Sequence, residues 1–196
     1  MPHTDTTINR RSFVLGSSLL IGAGGFTLSP AALAQQQFIN VLTGGQSGVY
    51  HPMGVALSQL YNNVLPASKI TVQSTKASAE NLNLLQAGRG EIAFVLGDAL
   101  SDAWLGNKEA GFAKPLKKLR AVAGIYPNYI QIVASAESGI KTLADLKGKR
   151  ISVGAPKSGT ELNARTILGA AGLPYSAFSK VEYLPFGESV ELMKNR

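Results

Sequence analysis

From Gln37 onward, apolar runs of strand length alternate with segments of helical length, the pattern of an α/β chain whose strands are joined by crossover helices. Gln37 to Leu42 reads as a strand, Thr43 to Gly48 as a loop, and Tyr50 to Asn62 as a helix with Met53, Leu57, Leu60 and Tyr61 on one face. The order then repeats. Ile70 to Ser74 is a strand, and Ser78 is placed to cap a helix whose Leu82 and Leu85, with Leu84 beside them, face the core until Gly88 stops it. Ile92 to Leu96 reads as a buried strand, Asp98 to Leu105 as a helix, and Gly106 to Pro115 as an irregular loop. Leu119 to Gly124 is a further strand, and Ile130 to Ala134 opens a new segment. Between them Tyr126-Pro127-Asn128 is turn-forming, which predicts a first lobe over 35–127 and a second over 128–196. The second part predicts a short helix near Leu143 to Leu146, a strand at Arg150 to Val153 and a helix from Gly159 to Ala171. A strand near Val181 to Leu184 follows, and a last helix runs from Gly187 to Arg196 without a stop signal.

Residues 1–34 break this alternation and read as an export leader. A polar start ends in Asn9-Arg10-Arg11-Ser12-Phe13, an apolar run continues to Leu28, and Ala32-Leu33-Ala34 supplies small residues for cleavage after Ala34. The paired Arg10 and Arg11, with a run diluted by Gly16, Gly22, Gly24 and Gly25, point to a twin-arginine signal peptide and a periplasmic destination. The run is too short and too glycine-rich for a membrane span, which needs about 20 predominantly apolar residues.

Composition removes several chemistries. The chain has no cysteine, so disulfides, thiolate metal sites and cysteine nucleophiles are excluded. Its net charge of +7 favours anionic partners only weakly, because the Lys and Arg are scattered and no aromatic residues are interleaved with them. Nucleic-acid binding is therefore not expected. After the leader, His51 is the single histidine, so a Ser-His-Asp triad or a histidine metal cluster lacks material, and no metal or cofactor is implied. Asp98 and Asp102 lie one helical turn apart and read equally as a cap and a solvated residue. Trp104 and Phe112 read as core or rim packing.

Two strand-to-helix loops are rich in glycine and hydroxyl groups, where an open α/β sheet binds its ligands. The first, Thr43-Gly44-Gly45-Gln46-Ser47-Gly48-Val49-Tyr50, serves as an ordinary turn or as an anion-binding backbone. The second, Gly154 to Glu161, has Ser158 and Glu161 at capping-box spacing, which is compatible with Ser158, Thr160 and the N–H groups after Gly159 facing a carboxylate. It lacks the Lys and the Ser/Thr that would follow in a P-loop, and the first loop misses the dinucleotide pattern.

With those residues in view, the chain resembles the TAXI family of solute-binding subunits of tripartite ATP-independent periplasmic (TRAP) transporters. The likeness runs through Thr43-Gly44-Gly45, Gly48 and Tyr50, then Gln73-Ser74-Thr75, Ser78 and Glu80-Asn81-Leu82, then Glu91-Ile92-Ala93 to Asp98. It continues in Tyr126-Pro127, Ser138-Gly139-Ile140, Asp145 to Lys149, Val153-Gly154-Ala155, Ser158 to Glu161 and Asn163-Ala164-Arg165. The resemblance implies an α/β two-lobed periplasmic binding protein, type II-like, that passes a captured acid to ion-gradient-driven membrane subunits. It places Thr43, Gly45, Gly48 and Tyr50 on one cleft wall, with Ser74, Thr75, Ser78, Asn81 and Asp98 nearby. Ser158, Gly159, Thr160 and Asn163 fall on the other wall, and Tyr126 near the hinge. Lys76 departs from the family's small residues and is expected to point to solvent. The family pattern also continues past Arg196, so the second lobe is expected to be incomplete.

The resulting expectation is capture, without catalysis, of a glutamate-like amino acid or small dicarboxylate. A ligand-sensing receptor of the same fold is the alternative. An enzyme on this fold would rest on Asp98 and His51 alone.

Overall fold

A computed structural model describes residues 36–195, and the leader expected over 1–34, with its cleavage point, lies outside the described residues. Five strands each lead into a helix. β1 (Gln37–Leu42) precedes α1 (Tyr50–Val64), β2 (Ser68–Gln73) precedes α2 (Ser78–Gln86), and β3 (Ile92–Ala93) precedes α3 (Gly97–Leu105). After a long irregular stretch, β4 (Arg150–Ser152) precedes α4 (Gly159–Ala170) and β5 (Lys180–Glu182) precedes α5 (Phe186–Lys194).

All strand pairs are parallel, as helical crossovers require. The first sheet has the order β2-β1-β3, with Gln37 opposite Ser68 and Leu42 opposite Gln73, and the second pairs β4 with β5. As the central strand β1 is covered on both faces, its Val41 and Leu42 are fully buried. One core cluster joins Ala79 and Leu82 of α2, Ala99 and Ala103 of α3, Phe112, Leu116 and Leu119, and it also takes in Leu162 of α4. Leu146, Leu168, Leu173 and Phe178 form a second cluster beside β4 and β5.

Several expectations need correction. Leu60 of α1 is exposed, while Met53 and Leu57 pack against the core as expected, and the inner face also takes in the buried Gly54 and Ser58. The reason is close approach, since a β-carbon on Gly54 would collide with Thr43 Cγ2. Ser78 does not cap α2: the N-cap is Ala77, and Ser78 Oγ accepts the N–H of Leu96 instead. Only Ile92 and Ala93 of the expected strand at 92–96 form strand ladder, although Phe94 still donates its N–H to Leu42 O.

The expected strand at 119–124 and the segment at 130–134 form no ladder among the described residues. Leu119 is held in the core by Phe112 and Leu116, but residues 120–134 are exposed, including Val122, Tyr129 and Val133. Their apolar composition satisfies strand propensity, yet a strand also needs a neighbouring backbone to bond.

Candidate functional site

The five strand-to-helix junctions meet. The N-cap residues of α1 to α5 are Val49, Ala77, Leu96, Ser158 and Pro185, and all five line one cleft of about 180 Å³. The first N–H groups of a helix have no intrahelical acceptor, and the macrodipole adds positive potential there. Of the five N-cap residues, only Ser158 accepts a helix N–H on its own side chain, from Glu161 at 3.1 Å. The convergence therefore collects donors at one place, and Lys76 is the single charged side chain in the lining.

Three serines in the lining extend this donor character. Ser78 Oγ accepts the Leu96 N–H at 3.0 Å, Ser158 Oγ accepts that of Glu161, and Ser47 Oγ accepts that of Gly187 at 3.1 Å. With an oxygen lone pair engaged by the backbone, each hydroxyl still has its proton to donate. The Ser47 contact also ties the first glycine loop to the start of α5.

Glycines allow the walls to approach. Gly154 has φ +97°, a region that disfavours side chains, and a β-carbon there would lie 2.8 Å from Thr160 Cβ. A β-carbon on Gly48 would touch the Phe186 ring at 3.5 Å. Tyr50 stacks on Phe94 with ring centroids 5.6 Å apart. Burial, helped by the neighbouring Tyr126, pushes the Tyr50 hydroxyl up to about 12, so it is a protonated donor at neutral pH.

Of the residues expected at the site, Gly45, Gly48, Tyr50, Thr75, Ser78, Tyr126, Ser158, Gly159 and Thr160 line the cleft. Thr43, Ser74, Asn81, Asp98 and Asn163 do not, and their bonds explain why. Asn81 is fully buried, and its Nδ2 donates to Thr43 O at 2.7 Å and Phe94 O at 2.9 Å, joining the ends of β1 and β3. Its Oδ1 lies 2.6 Å from Thr75 Oγ1, which also lies 2.8 Å from Thr43 O, so the threonine proton is shared between two acceptors. The Thr43 hydroxyl donates to Gln73 O at 2.8 Å, and that of Ser74 to Gly44 O at 2.8 Å. Asp98 accepts from Asn163 Nδ2 and from the Ala99 N–H, linking α3 to α4. These five residues hold the junctions in register from behind.

Lys76 is exposed, as expected, yet also lines the cleft. The capping box is only half formed, since Glu161 turns its buried carboxylate to Arg165 at 2.6 Å and to the Tyr175 hydroxyl at 3.1 Å. His51 lies with Nδ1 3.4 Å from Thr43 Oγ1, outside the lining. Sequence reasoning missed Leu96, Asn128, Pro185 and Phe186 as lining residues. The available signal was the β5-to-α5 junction, which obeys the same strand-to-helix rule as the two loops that were singled out.

Known proteins share this architecture. The pattern of the NMT1-like family matches residues 41–196. The alkanesulfonate-binding protein SsuA from Xanthomonas axonopodis pv. citri, bound to MOPS, superposes with a TM-score of 0.50 at 19% identity, over 81% of this chain and 51% of that one. The periplasmic aliphatic sulphonate binding protein SsuA from Escherichia coli gives 0.47 at 22% identity, over 81% and 51%. The chain thus spans about half the length of these solved structures. The fold is that of the periplasmic solute-binding proteins, α/β with parallel sheets.

Proposed function

This chain belongs to the NMT1-like family, and on that premise we propose that it is a periplasmic solute-binding protein capturing a small organic carboxylate in the cleft where the five helix starts meet. The single observation carrying this reading is that all five N-cap residues line one cavity. Backbone N–H groups, serine and threonine hydroxyls and the Tyr50 phenol would hold the anion by charge-assisted hydrogen bonds. Residues 35–127 and 128–196 are read as two lobes, with the Ser47 to Gly187 contact drawing their loops together over the ligand. The twin-arginine leader would deliver the chain to the periplasm, and membrane subunits of a TRAP transporter of TAXI type would receive the ligand. No chemical step on the ligand is part of this function.

Calorimetric titration of the full chain with small carboxylates, with alkanesulfonates alongside, tests the reading. Saturable carboxylate binding is expected, weakened at least roughly fivefold in Thr160→Val and Tyr50→Phe, each of which removes one donor. Tighter binding of an alkanesulfonate would replace the carboxylate assignment, and binding unchanged in both variants would remove those two residues from the site.

A further inference from the structure

We infer that the ligand carries no ammonium group: the cleft is built for an amine-free organic anion with an apolar body. The inference rests on the solute-binding reading and narrows it. No Asp or Glu is among the lining residues, and Lys76 is the one charge. Of the carboxylates within two residues of the lining, Glu161 is held by Arg165 and Tyr175, Glu80 by the Lys76 N–H at 2.6 Å and Asp98 by Ala99 and Asn163, while Glu188 is exposed. Two main-chain oxygens of first-loop residues that line the cleft are engaged as well. Gly44 O accepts from Ser74 Oγ, and Gly45 O accepts from the Gly48 N–H at 2.9 Å. An ammonium entering this cleft would lose its water and meet helix N-termini, hydroxyl protons and a lysine, with no carboxylate in the lining to replace the solvent. Leu96, Tyr126, Pro185 and Phe186 add an apolar and aromatic surface to the lining, with Asn128 as its one side-chain amide, which suits a hydrocarbon body beside the acid group.

Two matched pairs, each differing by one amino group, test this by calorimetry on the full chain: glutarate against glutamate, and 4-methylpentanoate against leucine. The amine-free member is expected to bind at least tenfold tighter in every pair that shows binding. An amino acid that binds as tightly as its amine-free partner, or more tightly, overturns the inference and leaves solute capture standing. If no member of either pair binds, the carboxylate-capture reading falls, and this inference with it.

Discussion

Gly159, at the start of α4, lies so close to Ser78, at the start of α2, that a β-carbon added to it would stand 2.6 Å from the serine Oγ. The same carbon would stand 2.5 Å from Leu96 Cδ1 at the start of α3. Three of the five helix starts therefore approach as closely as they do because this position has no side chain. Gly159→Ala is expected to push α4 outward and to destabilise the fold by about 1–3 kcal/mol, the usual cost of overpacking. Gly169→Ala in the same helix, where nothing lies within 4 Å, is the control and should be neutral or slightly stabilising. Urea denaturation of the two variants, with ligand titration of each, separates the close approach from any general effect of replacing glycine.

Asn81 is the most consequential polar residue behind the cleft. In Asn81→Ala, Thr43 O and Phe94 O both lose their Asn81 donor while remaining buried, at a cost of roughly 2–4 kcal/mol. Thr43 O retains Thr75 as a donor, so Phe94 O should suffer more. Faster amide exchange at the ends of β1 and β3 in the variant would locate the damage; exchange unchanged there would refute the assignment.

Ala77 adopts φ 71° and ψ −146°, a conformation suited to glycine, at the N-cap of α2. Ala77→Gly is expected to stabilise the protein by about 1 kcal/mol after glycine's own entropic cost. Its β-carbon lies 3.3 Å from where one on Gly44 would be, so the change also loosens the wall of the cleft. A higher denaturation midpoint accompanied by unchanged or weaker ligand binding is the expected outcome.

Alkaline pH should weaken the fold in a defined window. Burial raises the Tyr50 phenol from 10.0 to about 12 in the folded chain. Tyr175 is raised too, by burial first and then by the Glu161 carboxylate beside it. A raised phenol favours the protonated folded form, so its contribution is complete below about pH 10 and is lost as pH rises toward about 12. Urea midpoints followed across that range should fall for the wild type and fall less for Tyr50→Phe, which cannot ionise. An identical decline in the variant would show that Tyr50 is not a source of it.

Ser47→Ala removes the acceptor for the Gly187 N–H and with it a hydrogen bond between the first glycine loop and α5. The loss should cost about 1 kcal/mol, as for other helix-end contacts, and weaken ligand binding roughly fivefold. Titration calorimetry on the variant measures it, and affinity equal to wild type would show that the contact does not assist closure.

The starts of α1 and α4 were legible at Tyr50 and Gly159, and those of α2, α3 and α5 to within a residue. To the two glycine loops already singled out, the resemblance added Thr75, Ser78 and Tyr126 among the residues that line the cleft. It also offered Thr43, Ser74, Asn81, Asp98 and Asn163, which have the polarity of ligand-binding groups and instead satisfy or link the protein's own elements. A buried carbonyl and a ligand oxygen call for the same side chains, or their complements, so residue type cannot separate the two uses.

By itself, then, the amino-acid sequence determined the order of strands and helices and the parallel class of the sheets, because the periods of two and 3.6 residues are local properties of the chain. It also excluded cysteine chemistry and left a single histidine, His51, after residue 34. Only the tertiary structure decided that five helix starts share one cleft, that Pro185 and Phe186 belong to it, and that residues 120–134 stay unpaired. Those outcomes depend on which backbones lie side by side and how closely glycines let them approach, and that distance is set by packing between elements far apart in the chain.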